Sequence, residues 1–245
     1  SRSVSYIIKN AFADTSTFFP DANAADGFAS RGSGNVTWNA VRTGAGTAGS
    51  SADANNDAPL TIENWSQINR AAFLFSITLP AGATVTSCTL SINSTAKVDN
   101  GTHDLGIVIV DADSASDTSI ASGDYYLNSA PMGGTNTLQS ATTINLTDWS
   151  TTGYNDFPCN ATAVANVPLS GVMKFAAIFD KDQSDTAPSS TGGTADSRVT
   201  SVMSETAGTA SDPKFEVVYT TGGEEEVIFD IFELPKRFIN YAYAK

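Results

Sequence analysis

The chain has 245 residues, of which 41% are hydrophobic and only 16% charged, so it can bury a sizeable core under a surface of Ser, Thr, Asn and Gly. That composition favours strands and turns over helices, because Ser, Thr and Asn compete with the helical backbone for hydrogen bonds. The net charge of -13 would repel a phosphate backbone, which argues against nucleic-acid binding. No apolar run approaches the roughly 18 residues of a membrane helix, so no membrane span is expected.

Short apolar segments separated by turn-rich stretches recur along the chain, a pattern typical of a β-sandwich. The clearest predicted strand is 71–79, where residues such as Phe73 and Phe75 alternate with others and so share one face. A second strand is predicted at 84–93, joined to the first by a hairpin. Further predicted strands are 4–9, 36–41, 105–110, 143–146, 172–179, 198–203 and 214–220.

The composition changes sharply at Gly222-Gly223. We expect residues 1–221 to form one antiparallel jelly-roll β-sandwich, 222–226 a Gly/Glu hinge, and 227–245 an apolar docking tail. Exposed apolar surface costs about 25 cal/mol per Å², so the tail should dock on its own domain, a neighbouring subunit or another protein. An added strand and a short helix both fit the segment before Pro235. The expected docking residues are Val227, Ile228, Phe229, Ile231, Phe232, Leu234, Phe238, Ile239 and Tyr241.

Two cysteines are too few for a disulfide framework. Cys88 lies among strand residues, where a small buried side chain fits, and a free buried thiol is the simplest interpretation. Cys159 follows Pro158 in a loop-like stretch, and its pairing with Cys88 stays open.

Three stretches resemble the β-sandwich module often called the DNRLRE domain. They are Gly27-Phe28-Ala29-Ser30-Arg31 with Val36-Thr37-Trp38, Asn69-Arg70-Ala71-Ala72-Phe73 with Leu79-Pro80-Ala81-Gly82-Ala83-Thr84, and Phe175-Ala176-Ala177 with Asp212-Pro213-Lys214-Phe215. The chain departs from the family at Ser76, where an Asp is usual, and at Cys88, where an Ala is usual. The resemblance implies a β-sandwich found in phage structural proteins and beside secreted carbohydrate-active enzymes. With neither an enzyme domain nor a signal peptide in this sequence, the virion setting is the expected one.

Motifs for catalysis are sparse. His103 is the only histidine, in a polar, Gly-flanked stretch where a solvated loop side chain is expected. The sequence contains no G-x-S-x-G elbow, H-E-x-x-H pair or Walker glycine loop. The expectation is a protein without enzymatic activity and without a required cofactor.

Calcium is the one ion that the sequence favours, because Asp-rich loops supply hard oxygen ligands. Candidate loops occur at 53–57, 111–117 and 180–185, and the last offers Asp180, Asp182 and Asp185 as ligands. All three loops lack the glycine and glutamate of an EF-hand, so the candidate is a structural Ca²⁺ between sandwich loops. The alternative is that these residues form Asx-turns with solvated carboxylates.

A sugar-binding surface would need exposed aromatic rings. Tyr125, Tyr126 and Trp149 are the candidates, whereas Trp38 and Trp65 are expected to pack in the core.

The function that fits best is a non-enzymatic virion structural protein, a phage capsid decoration or other surface-exposed component anchored by its tail. Its expected partners are other virion or surface proteins, in a homo-oligomer or a capsid or tail lattice. The alternative is a carbohydrate-binding adhesin module of a tail fibre or cell surface, with a glycan as ligand and an extracellular location. A carbohydrate-active hydrolase would need two facing carboxylates, and no pair stands out among the 26 acids.

Overall fold

The computed structural model describes residues 10–21, 25–32, 34, 36–50, 57–63, 65–99, 103–189, 196–204 and 208–223. Within these ranges the chain is mostly β-strand. The strands are β1 Asn10–Phe18, β2 Asp26–Gly32, β3 Ala48–Ser50, β4 Asp57–Glu63, β5 Gln67–Thr78, β6 Thr84–Val98, β7 Gly106–Asp111, β8 Tyr126–Leu127, β9 Ala130–Pro131, β10 Ile144–Asn145, β11 Tyr154–Pro158, β12 Ser170–Phe179, β13 Asp196–Val202 and β14 Lys214–Gly223. The helices are short: α1 Trp38–Thr43, α2 Ala161–Asn166 and α3 Asp180–Gln183.

Apart from a separate two-stranded ribbon of β8 and β9, the strands form two antiparallel sheets that share β6. The small sheet has the order β1-β14-β6-β11. The large sheet continues from the second half of β6 through β13, β4, β5, β12, β7 and β10, and β2 pairs with β5. At 15 residues, β6 is the longest strand, and it passes from one sheet to the other. The expected all-β, antiparallel sandwich-like fold is confirmed.

Aromatic rings fill the space between the sheets. Phe215 on β14 in the small sheet lies 5.5 Å from Phe75 on β5 and 5.0 Å from Phe175 on β12, measured between ring centroids. All three side chains are buried. Such contacts show that the sheets face each other across one hydrophobic core.

The large sheet is also covered on its outer face. Residues 68–75 of β5 are all buried, including Arg70, Ala72 and Leu74, which alternate with the inward-facing aromatics. The covering layer contains α1, α3 and a 3₁₀ turn at Ser122–Asp124. A central strand buried on both faces reads as a near-continuous apolar run, as β5 does.

The predicted hairpin between 71–79 and 84–93 is wrong. Both strands exist, as β5 and β6, but the two share no pairing in the described chain. Instead, the turn at Pro80-Ala81-Gly82 carries the chain from the large sheet to the small one. A hairpin and a corner between sheets use the same turn residues, so local sequence does not separate them.

The strand predicted at 36–41 is also wrong, because α1 occupies Trp38–Thr43. The side chain of Thr37 caps this helix by accepting a hydrogen bond from the Ala40 amide at 3.3 Å. The strands predicted at 105–110, 143–146, 172–179, 198–203 and 214–220 are confirmed as β7, β10, β12, β13 and β14. The strand predicted at 4–9 lies outside the described residues.

β14 continues past the predicted domain boundary at 221. Gly222 pairs with Ala11 and Gly223 with Asn10, so both glycines belong to the sheet. The predicted docking tail at 227–245, with all of its expected docking residues, lies outside the described part of the chain.

Candidate functional site

Arg70 is a charged side chain buried completely at the centre of the outer layer. Its guanidinium meets the Asp182 carboxylate with two hydrogen bonds, from Nε at 2.7 Å and from Nη2 at 2.8 Å. Nη2 also donates to the Arg42 carbonyl at 2.9 Å, and Nη1 donates to the Tyr125 carbonyl. Burial alone would lower the pKa of Arg70, but the Asp182 charge and its hydrogen bonds outweigh burial and raise the pKa.

Three further residues complete what we call the Arg70 network: Arg42, Tyr125 and Asp182. The Tyr125 ring lies 4.0 Å from the Arg70 guanidinium, in a cation–π contact, and its hydroxyl donates to the Val41 carbonyl at 2.7 Å. Arg42 Nε donates to the Asp182 carbonyl at 2.8 Å. Burial raises the pKa of the Tyr125 hydroxyl, which therefore stays protonated as a donor. The network connects α1 and α3 to β5. Its charged and polar groups form hydrogen bonds and ion pairs with one another.

The predicted calcium ligands do not converge on a common point. Asp182 is committed to Arg70, while Asp180 Oδ1 accepts a hydrogen bond from the Gly106 amide at 2.9 Å. Asp185 is exposed and lies 3.5 Å from Arg42. Within the described ranges, no group of three or more His, Cys, Asp or Glu side chains is placed to hold a metal ion. The local sequence pattern could not reveal that Arg70, more than a hundred positions away, binds the carboxylate of Asp182.

The loop at 111–117 shows a similar pattern. Asp111 accepts hydrogen bonds from the amides of Thr135 and Thr137, at 2.6 and 2.7 Å. Asp117 pairs with Lys174 at 2.7 Å. These carboxylates bind groups that are distant in sequence, so at Asp111 and Asp117 the contacts are not the local Asx-turns of the alternative prediction. Most of the candidate loop at 53–57 lies outside the described residues.

His103 is buried, so the expectation of a solvated loop histidine is wrong. Its Nδ1 lies 2.7 Å from Ser197 Oγ, a histidine–serine pair of the kind that hydrolases use. Ser197 is itself completely buried, however, so its hydroxyl is not exposed at the surface that the described residues form. Burial lowers the pKa of His103, against the smaller raising effect of Asp196 and Asp99. The contact is a hydrogen bond between two buried side chains in the packed interior.

The predicted glycan-binding rings are mostly inside the fold. Tyr125 belongs to the Arg70 network, and Trp149 packs on Phe157 at 5.9 Å with its Nε1 donating to Ser94 at 3.1 Å. Both rings are buried, so the glycan-binding expectation fails at these two positions. Tyr126 is half-buried against the core. Trp38 is buried and Trp65 packs partly against the core, as expected.

Cys88 on β6 and Cys159 after β11 form a disulfide, with their Cα atoms 5.3 Å apart. The expectation of a free buried thiol at Cys88 is therefore wrong, and the open question of pairing is resolved. The bond joins positions 71 residues apart in sequence, across neighbouring strands of the small sheet.

Beside the disulfide lies a groove with a cavity volume of about 650 Å³, which we call the end groove. One wall is the start of β6, including Val85, Thr86 and Ser87. The other wall is α2 and the segment after it, with Val164, Val167 and Leu169. Its lining residues are uncharged and mostly apolar. Grooves of this size and character are common binding sites.

The same end of the molecule carries both described chain ends. Thr220 on β14 lies opposite Thr84, the first residue of β6, and β14 then continues to Gly223 beside Asn10 of β1. The β1–β14 ribbon therefore projects beyond β6 by three residues, which is about 10 Å at strand rise. On this projecting ribbon Phe12 is 66% exposed, the most exposed large hydrophobic side chain in the described chain.

Known proteins offer no assignment for this site: neither the models of known families nor the proteins of described function include a match to the chain. The resemblance to the DNRLRE module therefore stays a prediction. Within the described residues no helix has the length and apolar character needed to cross a bilayer.

Sequence reasoning missed the end groove and the Arg70 network. The network had one visible signal, an arginine within the apolar run of β5, since such a charge is buried only with a partner. The end groove had no comparable signal. Its two walls are separated in sequence by more than seventy residues, and only the fold brings them together.

Proposed function

We propose that this protein is a non-enzymatic structural component of a virion surface, with a phage capsid decoration protein as the favoured form. In this proposal the sandwich is displayed and the C-terminal tail anchors it to a neighbouring subunit. One observation carries the proposal: β14 leaves the body at the end that also holds Phe12 and the end groove. An apolar segment tethered there would leave the opposite end of the sandwich free to face outward.

The chemistry of the interior supports a structural role. The charges of the Arg70 network satisfy one another, and both members of the His103–Ser197 pair are buried. A network of this kind fixes the position of α1 and α3 on the large sheet. The absence of catalysis is part of the proposal.

The disulfide fits a virion or extracellular surface. Disulfides persist in oxidising settings, including virion and cell surfaces, and are rare in reducing cytosol. The Cys88–Cys159 bond would form after the protein leaves such a cytosol or as particles mature.

We also propose that the sandwich is of the jelly-roll kind and related to the DNRLRE module. Consecutive strands β5 and β6 fall in different sheets, and β6 is shared by both. A jelly roll is likewise an antiparallel architecture of two sheets.

A chain ending at Gly223 tests the anchoring role, because β14 is complete at that residue. We expect this chain to keep its fold, disulfide and unfolding midpoint while losing its association with the parent particle or oligomer. Sedimentation velocity and particle binding, each measured against the full chain, provide the comparison. If the shortened chain assembles like the full one, the tail is not the anchor. Turnover of a panel of polysaccharides by the full chain would contradict the non-enzymatic role.

A further inference from the structure

The end groove offers an unpaired stretch of strand as well as an apolar surface. Over its first residues, 84–87, β6 pairs only with β14 within the described chain, whereas its other side is covered from Cys88 onward, first by the Cys159 amide, which donates to the Cys88 carbonyl at 2.9 Å, and then by β11. Beyond Pro158 the chain turns away into α2, and the end groove opens in the space between. Such a site can accept an extended apolar segment, with backbone hydrogen bonds to β6 and side chains against α2.

The chain's own sequence contains a suitable occupant. Residues 227–234, Val-Ile-Phe-Asp-Ile-Phe-Glu-Leu, form a strongly apolar run that begins four positions after Gly223. In an extended conformation Val227, Phe229 and Ile231 would share one face. Small residues in the wall of the end groove, Ala161 and Ala165, leave room beside them for large side chains. The preceding Glu224-Glu225-Glu226 would remain in water.

The direction of β14 favours a groove on another copy. The exit at Gly223 is about 10 Å beyond the start of β6 and about two strand spacings, another 10 Å, to one side of the groove. The four residues to Val227 span at most about 14 Å when fully extended. To reach the groove of its own copy, the tail would have to reverse the direction of β14 and be fully extended over these four residues. The groove of a second copy placed beyond Gly223 could instead be reached along the direction of β14.

Phe12 supports a contact between copies at this end. It projects with the β1–β14 ribbon, next to the point at which the tail leaves. Leu169, at the rim of the end groove, is 39% exposed. Two copies that meet at these ends would cover both side chains while exchanging tails, a self-complementary arrangement of the kind that closes dimers.

We infer that the end groove is the receptor for residues 227–234 of a second copy of this chain, added as a strand beside Thr84–Ser87. This inference rests on the proposed function and names the partner and the surface that the tail uses.

Photo-crosslinking of the full chain tests the inference directly. A benzoylphenylalanine placed at Phe229 would react with whatever lies beside the tail. Chains labelled with ¹⁴N and ¹⁵N are mixed until native mass spectrometry shows mixed oligomers, and the cross-linked peptides are then sequenced. We expect heavy–light pairs between the tail and residues 83–87 or 161–169.

Each other outcome overturns the inference in a recognisable way. Cross-linked pairs of one isotope only would place the tail on its own body. A chain that stays monomeric in native mass spectrometry would exclude a second copy as the partner. Heavy–light pairs elsewhere on the second copy would reject the end groove but leave an assembly role for the tail. Cross-links to a different protein of the parent particle would do the same. A tail without cross-links, in an oligomer unaffected by its removal, would reject the proposed function as well.

Point variants give a second readout. Leu169→Glu places a carboxylate in the rim of the groove and should raise the dissociation constant of the oligomer at least about tenfold. Val98→Glu is the matched control, since Val98 is similarly exposed, at 36%, but lies at the other end of β6. A chain lacking residues 1–8 is the control for the other terminus. Equal weakening by Leu169→Glu and Val98→Glu, or loss of the oligomer only when residues 1–8 are removed, would overturn the inference.

Discussion

Arg70 and Asp182 show how one ion pair fixes a whole layer of the fold. Both side chains are buried, and their bidentate contact joins β5 to α3. A buried ion pair contributes little compared with a well-packed apolar pair, but removing one partner leaves an uncompensated charge. Substitution of one residue should therefore destabilise the protein much more than substitution of both.

We expect Asp182→Asn to lower the free energy of unfolding by about 3–5 kcal/mol, because Arg70 then keeps its charge without a counter-ion. The double variant Arg70→Met with Asp182→Leu should recover most of that loss. Urea unfolding followed by circular dichroism measures both. Asp185→Asn is the control, since Asp185 is exposed near Arg42 and should change stability by less than about 1 kcal/mol. A loss of similar size for Asp185→Asn would rule out burial of the charge as the cause.

His103 should make stability depend on pH. Burial lowers the pKa of His103 in the folded protein below its ordinary value of 6.5, so the unfolded chain takes up the proton first. The stabilisation is complete above pH 6.5 and is lost as pH falls from there through the folded-state pKa. The urea concentration at the unfolding midpoint should decrease as the pH is lowered from 7.5 to 5. His103→Gln should make the midpoint less dependent on pH over that range. An unchanged slope in the variant would assign the pH dependence to other groups.

At the scale of elements, the disulfide holds the β6–β11 edge of the small sheet beside the end groove. Because it closes a loop of about 70 residues, the chain-entropy relation gives roughly 4 kcal/mol of stabilisation. The double variant Cys88→Ala with Cys159→Ala should lose about 2–4 kcal/mol and unfold at a lower temperature. Thiol labelling of the unfolded, unreduced parent chain should find no free thiol. Two labelled thiols per chain would show that the bond is not formed.

Elements with a strong local pattern were predictable from sequence, and those shaped by distant contacts were not. β7 and residues 175–179 of β12 contain uninterrupted apolar runs, which need no partner to be recognised as strands. β1 and β4 carry polar residues or proline and become strands through pairing with β14 and β13. The α1 segment has strand-forming Val and Trp residues, but the Thr37 cap and packing on the sheet make it helical.

The features of the candidate site also differ in whether local sequence could predict them. The sequence indicated an apolar segment at 227–245, because composition alone shows that. It could not indicate the end groove, whose walls come from β6 and α2, or the burial of Tyr125 and Trp149. Burial depends on what the fold places above a residue, and that information is spread over the whole chain.

For the whole molecule, net charge sets how copies meet. At -13 each, two copies repel one another unless apolar contacts offset the repulsion. If tails and end grooves hold copies together, raising salt from 20 to 200 mM should screen the repulsion and tighten association. Sedimentation equilibrium at several salt concentrations measures this. Weakening with salt would show that attraction between opposite charges drives assembly.

The position of the tail exit also determines how the body would respond to force. A load applied through the residues after Gly223 runs along the axis of β14, which lies between β1 and β6 in the small sheet. The ladder hydrogen bonds on both sides of β14 are perpendicular to that axis, so the load shears them together instead of opening them one at a time. A strand held on both sides in this way resists tension along its own axis.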